Sequence, residues 1–247
     1  MSALFIGTSG WNHKEWKGSF YPEDVAQRRF LDHYATQFAA TELNASFYRL
    51  PTAKMVQGWR ERTPESFRFC PKMSRYLTHQ KKLNDPREPL RTFRERFEPL
   101  SDRLGPVLVQ LPQNVPFDHA KAEAFLEATT QLEDGRFAVE ARDESWFADE
   151  ALALLAAHGV ALVIAHSGGQ FPYGEHVTAP FVYLRFHGPG ELYASAYDEA
   201  TLADYAAKIA GWLEEGRDVW AFFNNTAGDA APQDAQRLRA LVDEAEA

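Results

Sequence analysis

Asp149-Glu150-Ala151-Leu152-Ala153-Leu154-Leu155-Ala156-Ala157-His158-Gly159-Val160-Ala161-Leu162-Val163-Ile164 passes from helical to strand-like patterning within sixteen residues. It predicts a helix over Asp149–His158, a stop at Gly159 where the left-handed conformation suits glycine, and then an apolar run short enough to be a buried strand. A helix feeding directly into a buried strand is the unit from which parallel sheets with crossover helices are built.

The same alternation extends in both directions. Strands are predicted at Leu4–Thr8, Thr41–Asn44, Phe67–Lys72, Val107–Leu111, Phe137–Arg142, Ala161–His166, Phe181–His187 and Val219–Asn224, eight in all. Between the first two, Gln27, Phe30, Leu31, Tyr34, Ala35 and Phe38 form a stripe that only a helix buries on one side. Thr52 caps a helix carrying Met55, Val56 and Trp59, and Leu90, Phe93, Phe97 and Leu104 mark the next. Further helices are predicted over Asp118–Leu132, from the Asp198 cap to Gly216, and from Pro232 onward. Ser167–Pro180, rich in Gly and Pro, reads as a loop.

These elements predict a single α/β domain over residues 1–247, a TIM-type (β/α)8 barrel whose crossover after strand six is a loop. The rival, an open doubly wound sheet, lacks its dinucleotide fingerprint. No repeat or linker divides the chain, and 45% hydrophobic residues supply a sizeable core. The first residues show no basic-then-apolar leader, and no apolar run is long enough to cross a membrane, so a cytoplasmic protein with no membrane partner is expected. The lone Cys70 excludes an internal disulfide and a multi-cysteine zinc site. A net charge of -9 disfavours a phosphate-tracking surface, leaving only a local basic groove as a route to nucleic acid.

Strand after strand ends in polar residues: Glu42 and Asn44, Lys72, Gln110, Glu140 and Arg142, His166, Arg185 and His187, Asn224 and Asn225. Side chains alternate with period two, so Glu42/Asn44, Glu140/Arg142 and Arg185/His187 each share a face, and the C-terminal rim of a barrel is where active sites sit. Any one of these residues alone could be an ordinary polar strand end. Aromatics accompany them in loops, Trp11 and Trp16, Phe47 and Tyr48, Trp146, Tyr193 and Tyr197, either to stack on a ligand or to pack over the rim.

Gly7-Thr8-Ser9-Gly10-Trp11 with Trp16 and Phe20-Tyr21-Pro22, then Glu42-Leu43-Asn44-Ala45-Ser46-Phe47-Tyr48, then Gly105-Pro106-Val107-Leu108-Val109-Gln110-Leu111-Pro112, resemble the YecE-like proteins, also called domain of unknown function 72. Val139-Glu140-Ala141-Arg142 with Ser145-Trp146, Tyr183-Leu184-Arg185-Phe186-His187-Gly188 and Phe223-Asn224-Asn225-Thr226 continue the resemblance over essentially the whole chain, with Ala141 a mild departure. It implies a TIM barrel of unestablished activity and carries no catalytic assignment.

The residues themselves suggest a chemistry. Glu42, Glu140, His166 and His187 could hold a divalent metal, but Lys72, Arg142 and Arg185 can neutralise both carboxylates without one, so no cofactor is expected and a metal is the lesser alternative. The same cations favour a small anionic ligand, phosphorylated or carboxylated, with a sugar-like molecule as one form of it. Glu42 or Glu140 would be general base and His166 or His187 general acid; Lys72 would either pair with a carboxylate or act as a Schiff-base nucleophile. Trp11, Asn44, Tyr48, Gln110, Arg142, Trp146, Arg185, Asn224 and Asn225 would bind substrate, and Gly188, Gly190 and the Gly228 turn could cradle phosphate. That predicts a lyase, isomerase or hydrolase. Two alternatives stay open: a nucleic-acid binder or metal-assisted phosphodiesterase resting on Lys81, Lys82, Arg87, Arg91, Arg94 and Arg96, and a non-catalytic ligand-binding or docking barrel. Oligomeric state leaves no signature in the sequence.

Overall fold

The computed structural model describes residues 2–130 and 135–245. Among them the strands are β1 (Leu4–Thr8), β2 (Ala40–Leu43), β3 (Arg68–Pro71), β4 (Val107–Gln110), β5 (Phe137–Glu140), β6 (Ala161–Leu162), β7 (Ile164–His166), β8 (Phe181–Phe186) and β9 (Asp218–Phe223). The α-helices between them are α1 (Phe30–Gln37), α2 (Ala45–Tyr48), α3 (Ala53–Glu61), α4 (Arg87–Phe97), α5 (His119–Thr130), α6 (Asp149–Ala157), α7 (Glu199–Glu214) and α8 (Ala230–Ala245).

All pairing between strands is parallel, in sheets ordered β1-β9-β8-β7, β2-β3 and β4-β5-β6. The molecule is therefore α/β with parallel sheets. Most strands are only four or five residues long, so some neighbours share single bridges: Ser9 with Glu42, and Lys72 with Leu108. Val163 interrupts the predicted sixth strand and divides it into β6 and β7.

The helix starts follow local chemistry. Thr52 Oγ1 accepts from Met55 N at 3.2 Å and Asp198 Oδ1 from Thr201 N at 2.8 Å, each satisfying an amide that the first helical turn leaves open. The helix expected to run on to Leu104 ends at Phe97, because Pro99 lacks an N–H and its ring clashes with the preceding turn; the chain continues as a 3-10 helix over Glu98–Arg103. Pro232 lies inside the first turn of α8, where no partner for its nitrogen is needed. Leu132, the expected end of the fourth helix, lies outside the described residues. Ser167–Pro180 contains no helix, as its composition predicts.

Period-two alternation sorts the strand side chains into two apolar clusters. One gathers Ala40, Cys70, Leu108, Ala138, Ala161, Ala165, Phe181, Tyr183, Trp220 and Phe222, with Phe5 against it, and so draws on every strand. The other, larger cluster joins the opposite strand faces, among them Leu43, Val109, Val139, Leu184 and Phe186, to the helices. Gly7 is required between them: a Cβ there would stand 2.1 Å from the carbonyl oxygen of Ala40.

Candidate functional site

Following the first cluster toward the strand C-termini, apolar residues give way to charged ones on the same face. Tyr183 precedes Arg185 by two residues on β8, and both reach Glu42 at the end of β2. Glu42 is fully buried and its carboxylate is saturated: Oε1 accepts from Ser9 Oγ and Arg185 Nη2, both at 2.7 Å, and Oε2 from Arg185 Nε at 2.9 Å and the Tyr183 hydroxyl at 3.0 Å. Arg185 extends its remaining Nη1 to Glu140 Oε2 at 2.5 Å. One guanidinium thus joins β2, β5 and β8.

Glu140, also fully buried, receives Arg142 Nη2 at 2.5 Å and His187 Nε2 at 2.9 Å on its other oxygen. Burial opposes its charge, but Arg185, Arg142 and His187 together hold its carboxyl well below the usual range. His187 in turn accepts from Asn224 Nδ2 at 3.0 Å on Nδ1, which assigns its proton to Nε2. Burial lowers its pKa to about 4, with Arg185 and Arg142 adding to the effect against Glu140, so the ring is neutral at pH 7.

Two carboxylates then face three cations, Lys72, Arg142 and Arg185, and the cluster is net positive. Its open hydrogen-bonding positions lie on the first two. Arg142 is buried, with its Cζ 3.3 Å from the centre of the Phe171 ring, and Nη1 has no acceptor although the Tyr193 phenol approaches the guanidinium. Lys72 forms no ion pair among the described residues; its Nζ stands 4.4 Å above the Phe47 ring. Burial, reinforced by Arg185, brings the Lys72 pKa down to about 8. The expected pairing of Lys72 with a carboxylate is absent because Arg185 and Arg142 already occupy both acids.

Six of the sequence-predicted residues are therefore brought together: Glu42, Glu140, Arg142, Arg185, His187 and Asn224 hydrogen-bond in one network, with Lys72 beside it. The expected general-base role does not suit Glu42, whose four acceptor positions are taken; Glu140 accepts three hydrogen bonds and is held as the anion by two arginines, and both ring nitrogens of His187 are engaged.

Other residues lie elsewhere. His166 pairs in register with Phe186, on the face opposite Arg185, and its Nδ1 meets the Tyr197 hydroxyl at 3.0 Å in a cavity against α7. Asn225 likewise turns away, donating to Asp234 at 2.8 Å and Ser195 O at 3.0 Å. Trp146 is a core residue anchored by Nε1 to Val115 O, Tyr48 is 73% exposed, and Gln110 donates to Leu111 O. Trp11 and Asn44 line a cavity of about 500 Å³ at the ends of β1 and β2. Cys70 is a buried core thiol whose pKa burial pushes up. The N–H groups of Gly188 and Gly190 are spent on Tyr197 and Ser195, so they are not open to phosphate. Arg91 pairs with Glu95 and Lys81 with Asp85, as on a solvated surface. Among the described residues no three His, Cys, Asp or Glu side chains form a group able to hold a metal, and no helix is long and apolar enough to cross a membrane.

Sequence reasoning missed Ser9, Tyr183 and Phe171. Extending the alternation back from Arg185 and outward from Thr8 would have found the first two; Phe171, inside an irregular segment, gave no signal.

The chain is 27% identical to UPF0759 protein YunF of Bacillus subtilis over 97% of this chain and 95% of that one, and 33% identical to YecE of Escherichia coli K12 over 44% and 38%. In three dimensions it superposes on a DUF72 family protein from Thermotoga maritima with a TM-score of 0.88 at 28% identity, covering 98% of this chain and 99% of that one. A DUF72 family protein from Enterococcus faecalis gives 0.84 at 21%, covering 97% and 95%, and shows the fold alone. With residues 5–247 matching the family described as protein of unknown function DUF72, the chain belongs to that family.

Proposed function

We propose that the chain is a metal-independent acid/base enzyme, a lyase, isomerase or hydrolase, acting on a small phosphorylated or carboxylated molecule held by Arg142 and Lys72. The observation that carries this reading is the buried Arg142 Nη1 without an acceptor. An unsatisfied buried donor costs about 1–3 kcal/mol, more when charged, and an anionic ligand removes that cost. A metal is not needed to balance Glu42 and Glu140, since Arg185 bridges them.

With both carboxylates and His187 engaged, Lys72 is the group left to move a proton. A pKa of about 8 keeps a usable fraction of free amine near neutrality while the ammonium can still return a proton. Arg142 orients the anionic end of the substrate, and the neutral His187 keeps Glu140 directed at the guanidinium.

This reading takes the three sheets as one closed eight-stranded (β/α)8 cylinder, forming a single cytoplasmic domain. In its support, a single residue divides β6 from β7, bridges connect the other sheet edges, and one apolar cluster draws on every strand.

Thermal unfolding with inorganic phosphate, with and without chelator, tests it. At a hundredfold excess over Kd the midpoint should rise on the order of 5–10 °C. Arg142→Ala should abolish the rise; equal shifts in both proteins would eliminate the proposed anion site.

A further inference from the structure

The cavity of about 500 Å³ beside the charged cluster plays no part in the chemistry above, and its volume is that of an ordinary small-molecule site. Its walls include Ser9, Trp11, Asn44, Met55 and Trp59. Polar side chains, among them Asn12, His13, Gln27, Arg28 and Arg62, share the walls with an exposed apolar corner: Met55 is 50% exposed, and Trp11 and Trp59 are only half-buried. The two indoles meet edge to face, centroids 5.7 Å apart at 86°, so one presents a ring face where the other presents an edge. A flat ring entering this corner can stack on one and abut the other, the two geometries aromatic pairs prefer.

The corner is also preformed. The Tyr21 hydroxyl donates to Trp11 O at 2.5 Å, and Gly10, at φ +87°, makes the turn that brings Trp11 over α3. Trp59 is fixed from below by stacking on Phe69, centroids 6.2 Å apart.

Finally, the cavity shares Ser9 with the charged cluster. Ser9, in its wall, donates to Glu42. Lys72 N donates to Leu43 O at 3.1 Å, which sets Lys72 beside Asn44, another wall residue.

We infer that this cavity is a subsite for a flat aromatic group, so that the ligand is an aryl-bearing phosphate or carboxylate: the ring between Trp11, Met55 and Trp59, the anion toward Lys72. The anionic half rests on the proposed function; the aromatic half does not. Burying one ring against apolar walls strengthens binding tenfold to a hundredfold over the bare anion.

Calorimetric titration with inorganic phosphate, phenyl phosphate and phenol tests both halves, with the indole N–H resonances of Trp11 and Trp59, assigned through Trp11→Phe and Trp59→Phe, as a second readout. Phenyl phosphate should bind at least tenfold more tightly than phosphate and shift both resonances. Met55→Asp, at an exposed position, should remove that advantage and leave phosphate affinity intact. If phenyl phosphate binds no better than phosphate and both indoles stay silent, the subsite is overturned while the anion site stands. If phenol and phenyl phosphate move the indoles alike and phosphate does not bind, the subsite stands and the anion site falls. Silence toward all three probes overturns both.

Discussion

The Arg142 guanidinium lies against the Phe171 ring, cation carbon to ring centre 3.3 Å, so the cation of the charged cluster that has an open Nη1 is stacked under a side chain from the irregular segment after β7. A stacked ring covers one face of the guanidinium and leaves the in-plane direction of Nη1 to an acceptor, so Phe171 holds the cation in place for a ligand that meets its edge.

Replacing the ring should therefore loosen the cation. Phe171→Ala is expected to weaken phosphate binding severalfold and to cost about 1–2 kcal/mol of stability from the lost cation–π contact. Calorimetric titration and chemical denaturation measure the two effects; an unchanged phosphate affinity would mean the ring has no part in positioning Arg142.

His187 predicts the acid limb of stability. Its folded pKa of about 4 lies below the roughly 6.5 of an unfolded histidine, so the unfolded chain takes up a proton that the folded one refuses. Its contribution is full above pH ~6.5 and is lost as pH falls toward 4, on the order of 3 kcal/mol in total. Glu140, held low, adds further loss below the unfolded carboxylate pKa of about 4.3. Urea titrations from pH 7 to 4 should show the decline, and His187→Asn should flatten its upper part; a flat wild-type profile contradicts the neutral assignment.

Lys72 works at the opposite end. Its folded pKa is depressed to about 8, so the charged form is disfavoured by folding, and stability should rise as pH climbs from about 8 toward its unfolded value. Phosphate affinity should fall over the same interval as the ammonium is lost. Lys72→Met should raise the thermal midpoint at pH 7 and weaken phosphate binding by about tenfold, and it should remove the pH dependence near 8. A variant that binds phosphate as the wild type does leaves Lys72 no role in anion binding.

His166 supplies the control. Because it faces Tyr197 and α7, His166→Gln should leave the phosphate-induced thermal shift within error of the wild type. A shift lost as fully as in Arg142→Ala would require the two strand faces to communicate.

The alternation of strands and helices was legible because it depends on local signals: the Gly159 stop, the Thr52 and Asp198 caps, and apolar runs bounded by polar residues. The charged cluster was legible from parity, since Glu140 and Arg142, or Arg185 and His187, must share a face whatever surrounds them. Parity within a strand does not say which face is which. His166 was misassigned for that reason: Ala161, Val163 and Ala165 lie on the cluster side, Ala165 in register with Arg185, and His166 falls on the other face. Roles were less legible still. Glu42 and Glu140 read as bases until Arg185 was seen to occupy both, a contact between residues 143 apart in the chain that no local pattern encodes.

Removing that contact should be severe. Arg185→Met leaves two buried carboxylates with too few partners, and a loss of about 3–5 kcal/mol is expected by chemical denaturation. Adding Glu42→Gln to that variant should recover part of the loss, whereas additive losses would show that the bridge is not the cause.

The position of Arg185 along the chain has a consequence for biosynthesis. The first 184 residues emerge from the ribosome with Glu42 and Glu140 already made and their shared counter-ion still missing, so the centre of a nascent chain must stay hydrated. Dry packing waits for the eighth strand, and a nascent chain stalled before it should remain loose and open to proteolysis throughout its length.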